Sequence, residues 1–151
     1  MGWLGLERRG LERLDGVAAR RGRTGAAAHL ETGLRGEREA LFHLRGIGYV
    51  VVARRWTSAR LRGDVDLIGW DGEWLAFIEV KTRTGRDAME PAQAAVDEDK
   101  KNMLRKMARA YLKGFPREKR EQVRVRFDVV AVYLEAAGAQ FEVSKGAFGW
   151  E

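Results

Sequence analysis

The sequence contains no cysteine and only two histidines, so the residues that build most zinc sites and thiol nucleophiles are scarce. The absence of cysteine excludes disulfides and thiolate sites, and it agrees with a reducing compartment. His29 and His43 are too few for a histidine zinc site. No apolar run approaches the roughly 20 residues that span a bilayer, and residues 1–7 lack the pattern of a signal peptide. We therefore expect a cytoplasmic protein without a membrane partner.

The charge balance is basic, with 28 Lys and Arg against 22 Asp and Glu in 151 residues, a net charge of +6. A basic surface favours a polyanionic partner, because binding to phosphates releases counterions. Half of the excess lies in residues 1–35, which mix Gly, Arg and Ala. We expect a loosely ordered basic arm at 1–35 and one domain at 36–151. The composition leaves open whether the arm binds phosphates or is a non-essential extension.

A helical pattern begins at Gly36. Ala40, Leu44 and Ile47 recur at helical spacing, and Gly48 is a stop signal. Glu37 falls on the same apolar face, where a carboxylate is costly unless it is paired. The plain alternative is a first-turn glutamate that the helix dipole favours.

Three strand patterns follow this helix. Residues 49–56 are rich in valine, and residues 63–70 and 73–82 flank Asp71-Gly72, a strong hairpin signal. The turn at Asp71-Gly72 predicts that paired residue numbers sum to 143.

A second amphipathic helix begins near Asp97, and its two faces are distinct. Lys100, Leu104, Met107 and Tyr111 share one face, while Lys101, Arg105 and Arg109 face away. Residues 123–134 read as a central strand that is apolar on both faces. Residues 135–151 are expected to form a short hairpin or an irregular cap. The order αβββαβ predicts an α/β fold with a mixed β-sheet flanked by helices.

The predicted hairpin places four charged side chains on one face. The expected register sets Asp64 opposite Glu79 and Asp66 opposite Phe77, and Lys81 shares their face because alternate residues return to it. A different turn length of the same parity would shift the partners but keep the shared face.

Three carboxylates on a half-buried face repel one another unless a cation neutralises them. Oxygen ligands favour Mg²⁺ or Mn²⁺ over zinc, so Asp64, Asp66 and Glu79 are candidate metal ligands. Lys81 would orient water or stabilise charge at a phosphate, and Glu37 would complete or support the metal's shell. The plain alternative is a solvated ion pair worth under about 1 kcal/mol.

An ordered set of motifs resembles the YraN-like family of small bacterial proteins, which is similar to archaeal Holliday-junction resolvases and to PD-(D/E)xK nucleases. The motifs are Arg35-Gly36-Glu37, Gly48-Tyr49, Gly63-Asp64-Val65-Asp66-Leu67-Ile68, Phe77-Ile78-Glu79-Val80-Lys81-Thr82-Arg83, Ala95-Val96 with Lys100, Ala110-Tyr111-Leu112 and Arg126-Phe127-Asp128-Val129-Val130-Ala131-Val132. The resemblance covers residues 35–134 and implies a restriction-endonuclease-like core. It also implies that Asp66, Glu79 and Lys81 are catalytic, with Glu37 in the place of the resolvases' helix glutamate. The family usually has Glu where this chain has Asp64.

The leading hypothesis is therefore a metal-dependent nuclease acting on DNA, including branched DNA, as a homodimer that presents two sites. The first alternative is a non-catalytic nucleic-acid-binding module of the same fold, and the second is a protein-interaction domain with a structural ion. The trio of Asp66, Glu79 and Lys81 favours the nuclease. The expected nucleic-acid contacts are Arg35, Lys101, Arg105 and Arg109.

Overall fold

The computed structural model describes residues 25–84 and 96–151. Its helices and strands, in chain order, are α1 (Gly25–Gly46), β1 (Val50–Trp56), β2 (Val65–Asp71), β3 (Trp74–Thr84), α2 (Glu98–Leu112), α3 (Arg117–Arg120), β4 (Arg124–Glu135) and β5 (Gly138–Phe148).

The strands form one five-stranded sheet in the order β1-β2-β3-β4-β5. Pairing is antiparallel except between β3 and β4, which are parallel. A parallel pair needs a crossover, and α2 lies within it. The expected α/β fold, a mixed sheet flanked by helices and consistent with a restriction-endonuclease-like core, is confirmed. Within residues 25–84 and 96–151, no helix has both the length and the apolar content needed to cross a membrane.

Each face of the sheet packs against one long helix. On one face, Leu41 and Leu44 of α1 pack in a cluster with Ile78 of β3 and Val130 of β4. The opposite face carries α2, whose Leu104 and Met107 pack in a cluster with Phe77 and Phe127. Successive residues of β3 therefore alternate between the two cores, as the two-residue period of a strand requires.

Helix α1 begins at Gly25, so the expectation that the helix starts at Gly36 is wrong. Ala26, Ala27 and Ala28 favour a helix, because alanine has the highest helix propensity of any residue type. Their small side chains had suggested a loosely ordered segment. Residues 25–35 are therefore helical rather than loose. Residues 1–24 lie outside the described part of the chain, so the arm stays a prediction there.

The β2–β3 turn differs by one step from the expected one. Asp71 pairs with Trp74, so the two turn residues are Gly72 and Glu73, and the paired numbers sum to 145. Gly72 has a φ of 60°, whereas Glu73 has no positive φ. Positive φ at the first central residue alone is typical of a type II′ turn, whereas an Asp-Gly type I′ turn needs it at both. The expected pairings of Asp66 with Phe77 and of Asp64 with Glu79 are therefore wrong, because the register is shifted by two residues along β3.

The C-terminal segment is more regular than expected. β5 runs from Gly138 to Phe148 and pairs with β4 as an edge strand, where a short hairpin or an irregular cap was expected. Exposed and half-buried residues alternate along β5 from Gly138 to Val143, as expected for a strand with one covered face. The predicted start of α2 is confirmed, since Asp97 caps it by accepting from the Lys100 amide at 2.8 Å. Most of the expected loop at 85–96 lies outside the described residues.

Candidate active site

Asp66 and Glu79 lie side by side on β2 and β3. The β2–β3 register, in which paired numbers sum to 145, sets Asp66 opposite Glu79 when it is continued one step past the pair Leu67 and Ile78. Both side chains are buried. The backbone pairing of β2 with β3 ends at Leu67. Beyond it, the Val80 amide donates to Asp66 Oδ2 at 2.8 Å. The Asp66 carboxylate is thereby fixed to the neighbouring strand.

Glu79 faces two lysines, but neither ammonium group is close enough for a short hydrogen bond. Lys81 Nζ lies 3.6 Å from Oε1, and Lys100 Nζ lies 3.4 Å from Oε2. Charge-assisted hydrogen bonds are usually about 2.7–2.9 Å long, and the buried Oε2 atom has no hydrogen-bond partner. The lysines therefore balance the charge of Glu79 without satisfying its oxygen.

The two carboxylates are in electrostatic conflict. The pKa of Asp66 is raised to about 7, chiefly by burial and also by the neighbouring charges of Glu79 and Asp64, against the lowering effects of the Val80 amide and Lys100. Burial and like charge both disfavour the ionised form. A bound cation would remove this conflict.

Glu37 reaches the same region from α1. Arg55 Nε donates to Glu37 Oε2 at 2.8 Å, and burial raises the pKa of Glu37, with Asp66 and Asp64 adding to the rise. Arg55 has a φ of 46°, a left-handed conformation that is uncommon for residues other than glycine. The predicted cost of Glu37 on an apolar face is thus met by pairing with Arg55.

Gly36 sets the approach of α1 to the sheet. A Cβ atom at this position would overlap Oγ1 of Thr82 on β3. Only glycine therefore lets α1 pack this closely, and the close packing brings Glu37 to the carboxylates.

The expected set of three metal ligands is not assembled in the structure. Within residues 25–84 and 96–151, no group of three Asp, Glu, His or Cys side chains could surround a metal ion. Asp64 is only half-buried and acts on Asp66 at longer range. Asp66 and Glu79 nevertheless fit a divalent cation, because Mg²⁺ is commonly bound by one or two carboxylates and substrate phosphates. The unsatisfied Oε2 atom of Glu79 supports this fit.

The predicted basic face of α2 is largely covered by the C-terminal segment. Arg105 is buried and donates to Gly149 O at 2.8 Å, so the expectation that it faces away from the packed side of α2 is wrong, and its contact with nucleic acid stays a prediction. Lys101 lies over the Phe148 ring and Arg109 over the Trp150 ring. β5 and the residues directly after it carry these aromatic rings across α2, and their position was not predicted. Arg35 is exposed on α1, as a phosphate contact requires.

Lys100 is the site residue that sequence reasoning misses. A lysine on the apolar face of α2, beside Leu104 and Met107, is costly to bury without a partner. The position of Lys100 on the apolar face therefore indicated a buried acidic partner, and the structure shows that this partner is Glu79 on the sheet beneath α2.

Comparison with known proteins gives one consistent result. The model of a family described as "Uncharacterised protein family UPF0102" matches residues 36–132. A UPF0102 protein of Koribacter versatilis is 48% identical over 120 residues, which is 80% of each chain. UPF0102 proteins of Solibacter usitatus and Rhodococcus jostii are 42% and 41% identical, over 75% and 72% of this chain and 82% and 86% of theirs.

Proposed function

Because the chain belongs to the UPF0102 family, the YraN-like proteins that its motifs resemble, we propose that it is a metal-dependent nuclease that hydrolyses phosphodiester bonds in DNA, including branched DNA. The observation that carries the proposal is the buried pair Asp66 and Glu79, with one carboxylate oxygen unsatisfied. Such a pair is costly to a protein that makes no use of it. The expected cytoplasmic location and homodimer belong to this proposal.

Asp66 and Glu79 would hold Mg²⁺ or Mn²⁺, which when bound activates water and polarises the scissile phosphate. Asp66 has to lose its proton first, since its pKa is raised to about 7. Lys100 stays beside Glu79 and balances the charge of that carboxylate. Glu37, held by Arg55, adds a further negative group at the edge of the site.

Lys81 is the residue that would act on the substrate. Its side chain is about one-third exposed, whereas that of Glu79 is almost fully buried. The ammonium group can therefore leave Glu79 for a phosphate oxygen. There it would stabilise the charge that develops in the transition state.

One observation favours a second candidate, a non-catalytic nucleic-acid-binding module. Lys81 and Lys100 already balance the charge of Glu79 without any cation. In that case the carboxylates would be a structural ion-pair network, and the basic net charge would bind nucleic acid by itself.

Single-turnover cleavage of duplex, single-stranded, flapped and four-way-junction DNA with Mg²⁺ or Mn²⁺ tests the proposal. Lys81→Ala should lower the cleavage rate by a factor on the order of 10², while DNA affinity barely changes. The matched control is Lys101→Ala, since Lys101 pairs with Glu98 at the start of α2 and not with Glu79.

Equal rates for the two lysine variants, or no metal-dependent cleavage of any substrate by the wild type, would contradict the nuclease. The binding module would then be the better account. Affinity that falls with rising salt in both variants would support that reading.

A further inference from the structure

A cavity lined by aromatic rings lies between the end of β1 and the end of α2. Its volume is about 410 Å³, and its lining residues are Trp56, Ala110, Tyr111, Gly114, Phe115 and Pro116. This volume is in the range of small-molecule pockets. None of the lining residues belongs to the site of Asp66 and Glu79.

The rings that line the cavity are held in place. Tyr111 meets Trp56 edge-on with ring centroids 5.2 Å apart, and it contacts Phe77 of the core at 5.7 Å. Phe115 lies 6.0 Å from Tyr111. Arg120 donates to Phe115 O and Lys113 O, each at 2.9 Å, and so braces the loop after α2. Because these rings are already fixed, a flat ligand can stack on them without the entropic cost of ordering the side chains.

The cavity lies close to the candidate active site. Trp56 pairs with Val65, the residue before Asp66, so the two residues lie on neighbouring strands. Paired strands are only about 5 Å apart. A nucleic-acid strand with a phosphate at Asp66 would therefore lie within a few nucleotides of Trp56.

The chain beside the cavity is basic. Residues 113–120 contain four basic residues and one acidic residue, and Lys113 and Arg117 are exposed. An apolar cavity with a basic rim suits a ligand that is both flat and polyanionic. Unpaired bases of nucleic acids stack on aromatic side chains while basic groups contact their phosphates.

We propose that the cavity of Trp56, Tyr111 and Phe115 receives an unpaired nucleobase of the bound DNA strand. This inference rests on the proposed function and deepens it, because it names the feature of branched DNA that the protein recognises. A fully paired duplex has no base to place in the cavity, whereas a single-stranded flap or a bulge has one.

The test is a binding titration with a duplex carrying one unpaired 2-aminopurine, whose fluorescence is quenched on stacking, against the same duplex with that base paired. EDTA in all samples prevents metal-dependent cleavage. The wild type should bind the bulged duplex roughly tenfold more tightly and quench it, as expected for one base–aromatic stack. Trp56→Ala should remove this preference and leave the affinity for paired duplex within about twofold.

Matched variants keep the test decisive. Trp74→Ala removes an exposed tryptophan at the β2–β3 turn and should preserve the preference. Trp56→Phe should keep part of it, because a smaller ring remains. If Trp56→Ala does not fold, as judged by circular dichroism, Phe115→Ala removes the facing wall and should give the same loss.

Equal affinity of the wild type for bulged and paired duplexes would overturn the proposal, as would an equal loss for both in Trp56→Ala. A cavity that binds acidic peptides but shows no preference for the bulge would be a protein-docking site, and the proposal would be wrong. A bulge preference without metal-dependent cleavage would count against the nuclease alone. Cleavage without a bulge preference would count against the base pocket alone.

Discussion

Two carboxylate clusters lie on the same sheet, and they are built in opposite ways. In the candidate site, burial and the charge of Glu79 raise the pKa of Asp66, and Glu79 Oε2 has no hydrogen bond. In the second cluster, the fully buried Asp128 accepts from the Tyr49 hydroxyl at 2.9 Å, from the Gly146 amide at 2.9 Å and from Arg126 at 2.8 Å. The second cluster is satisfied where the first is not.

Asp71 extends the satisfied cluster to the end of β2. It lies 2.7 Å from Arg126 Nη2 and 2.8 Å from Lys145 Nζ, and these two cations hold its pKa below the usual range. The same residue type therefore has opposite shifts, lowered at Asp71 and raised at Asp66. Pairing that favours the ionised form stabilises the fold, whereas a cluster left short of partners is suited to bind a ligand.

The largest expected effect is at Asp128. Asp128→Ala should lower the free energy of unfolding by about 3–5 kcal/mol, because it leaves the buried Tyr49 hydroxyl and the half-buried Arg126 without their shared acceptor. Urea denaturation at neutral pH measures this loss. A loss under about 1 kcal/mol would show that the second cluster is not the structural one.

The second prediction concerns the packing of α1 against the sheet beside Asp66 and Glu79. Gly36→Ala should destabilise the protein by about 1–3 kcal/mol, because the new methyl overlaps Thr82. Gly33→Ala is the matched control in the same helix, where a Cβ meets no atom within 4 Å. It should stabilise by about 0.5–1 kcal/mol through helix propensity. Equal effects of the two changes would mean that α1 packs loosely beside the site.

The third prediction concerns Asp66 in metal-free protein. Its folded-state pKa is raised to about 7, so its contribution to stability is present below the unfolded value near 3.9 and is lost as pH rises towards 7. Asp66→Asn should therefore be more stable than the wild type at pH 8, by on the order of 1–3 kcal/mol, and not at pH 4. Urea midpoints across this range in EDTA measure the difference. If the stability of the wild type and of Asp66→Asn changed equally with pH, the proposed electrostatic conflict at Asp66 would be wrong.

The smallest effect, and the opposite sign, is expected at Asp71. Its folded-state pKa is lowered, so its contribution is present above about pH 4 and is lost as pH falls through the folded value. Asp71→Asn should cost under about 1 kcal/mol at pH 7 and nothing at pH 2. Glu73→Gln is the control, because Glu73 is largely exposed. A pH dependence like that expected for Asp66 would erase the contrast between the clusters.

The sequence predicts α2 and the central strands well because their signals are local. Hydrophobic periodicity located α2 and β4, and parity alone put Asp66 and Glu79 on one face even though the turn was misplaced. Hairpin register depends on the backbone angles of Gly72 and Glu73, which residue identity does not specify.

The missed features depend on contacts between distant segments. Arg105 reads as a surface residue until β5 brings Phe148 and Gly149 over it, 43 and 44 residues along the chain. The pairings of Lys100 with Glu79 and of Arg55 with Glu37 likewise join separate elements. A single sequence shows that these groups are costly to bury, but not which partner each one finds.

The hydrogen bond from the Val80 amide to Asp66 has a consequence for spectroscopy. It makes one backbone proton of the sheet depend on the protonation and ligation of a side chain at the candidate site. The Val80 amide resonance should therefore move when a proton or a divalent ion binds Asp66, and its exchange with solvent deuterium should change with it. The Val80 amide is thus a built-in spectroscopic probe of the site, and reading it requires neither a label attached at the site nor turnover.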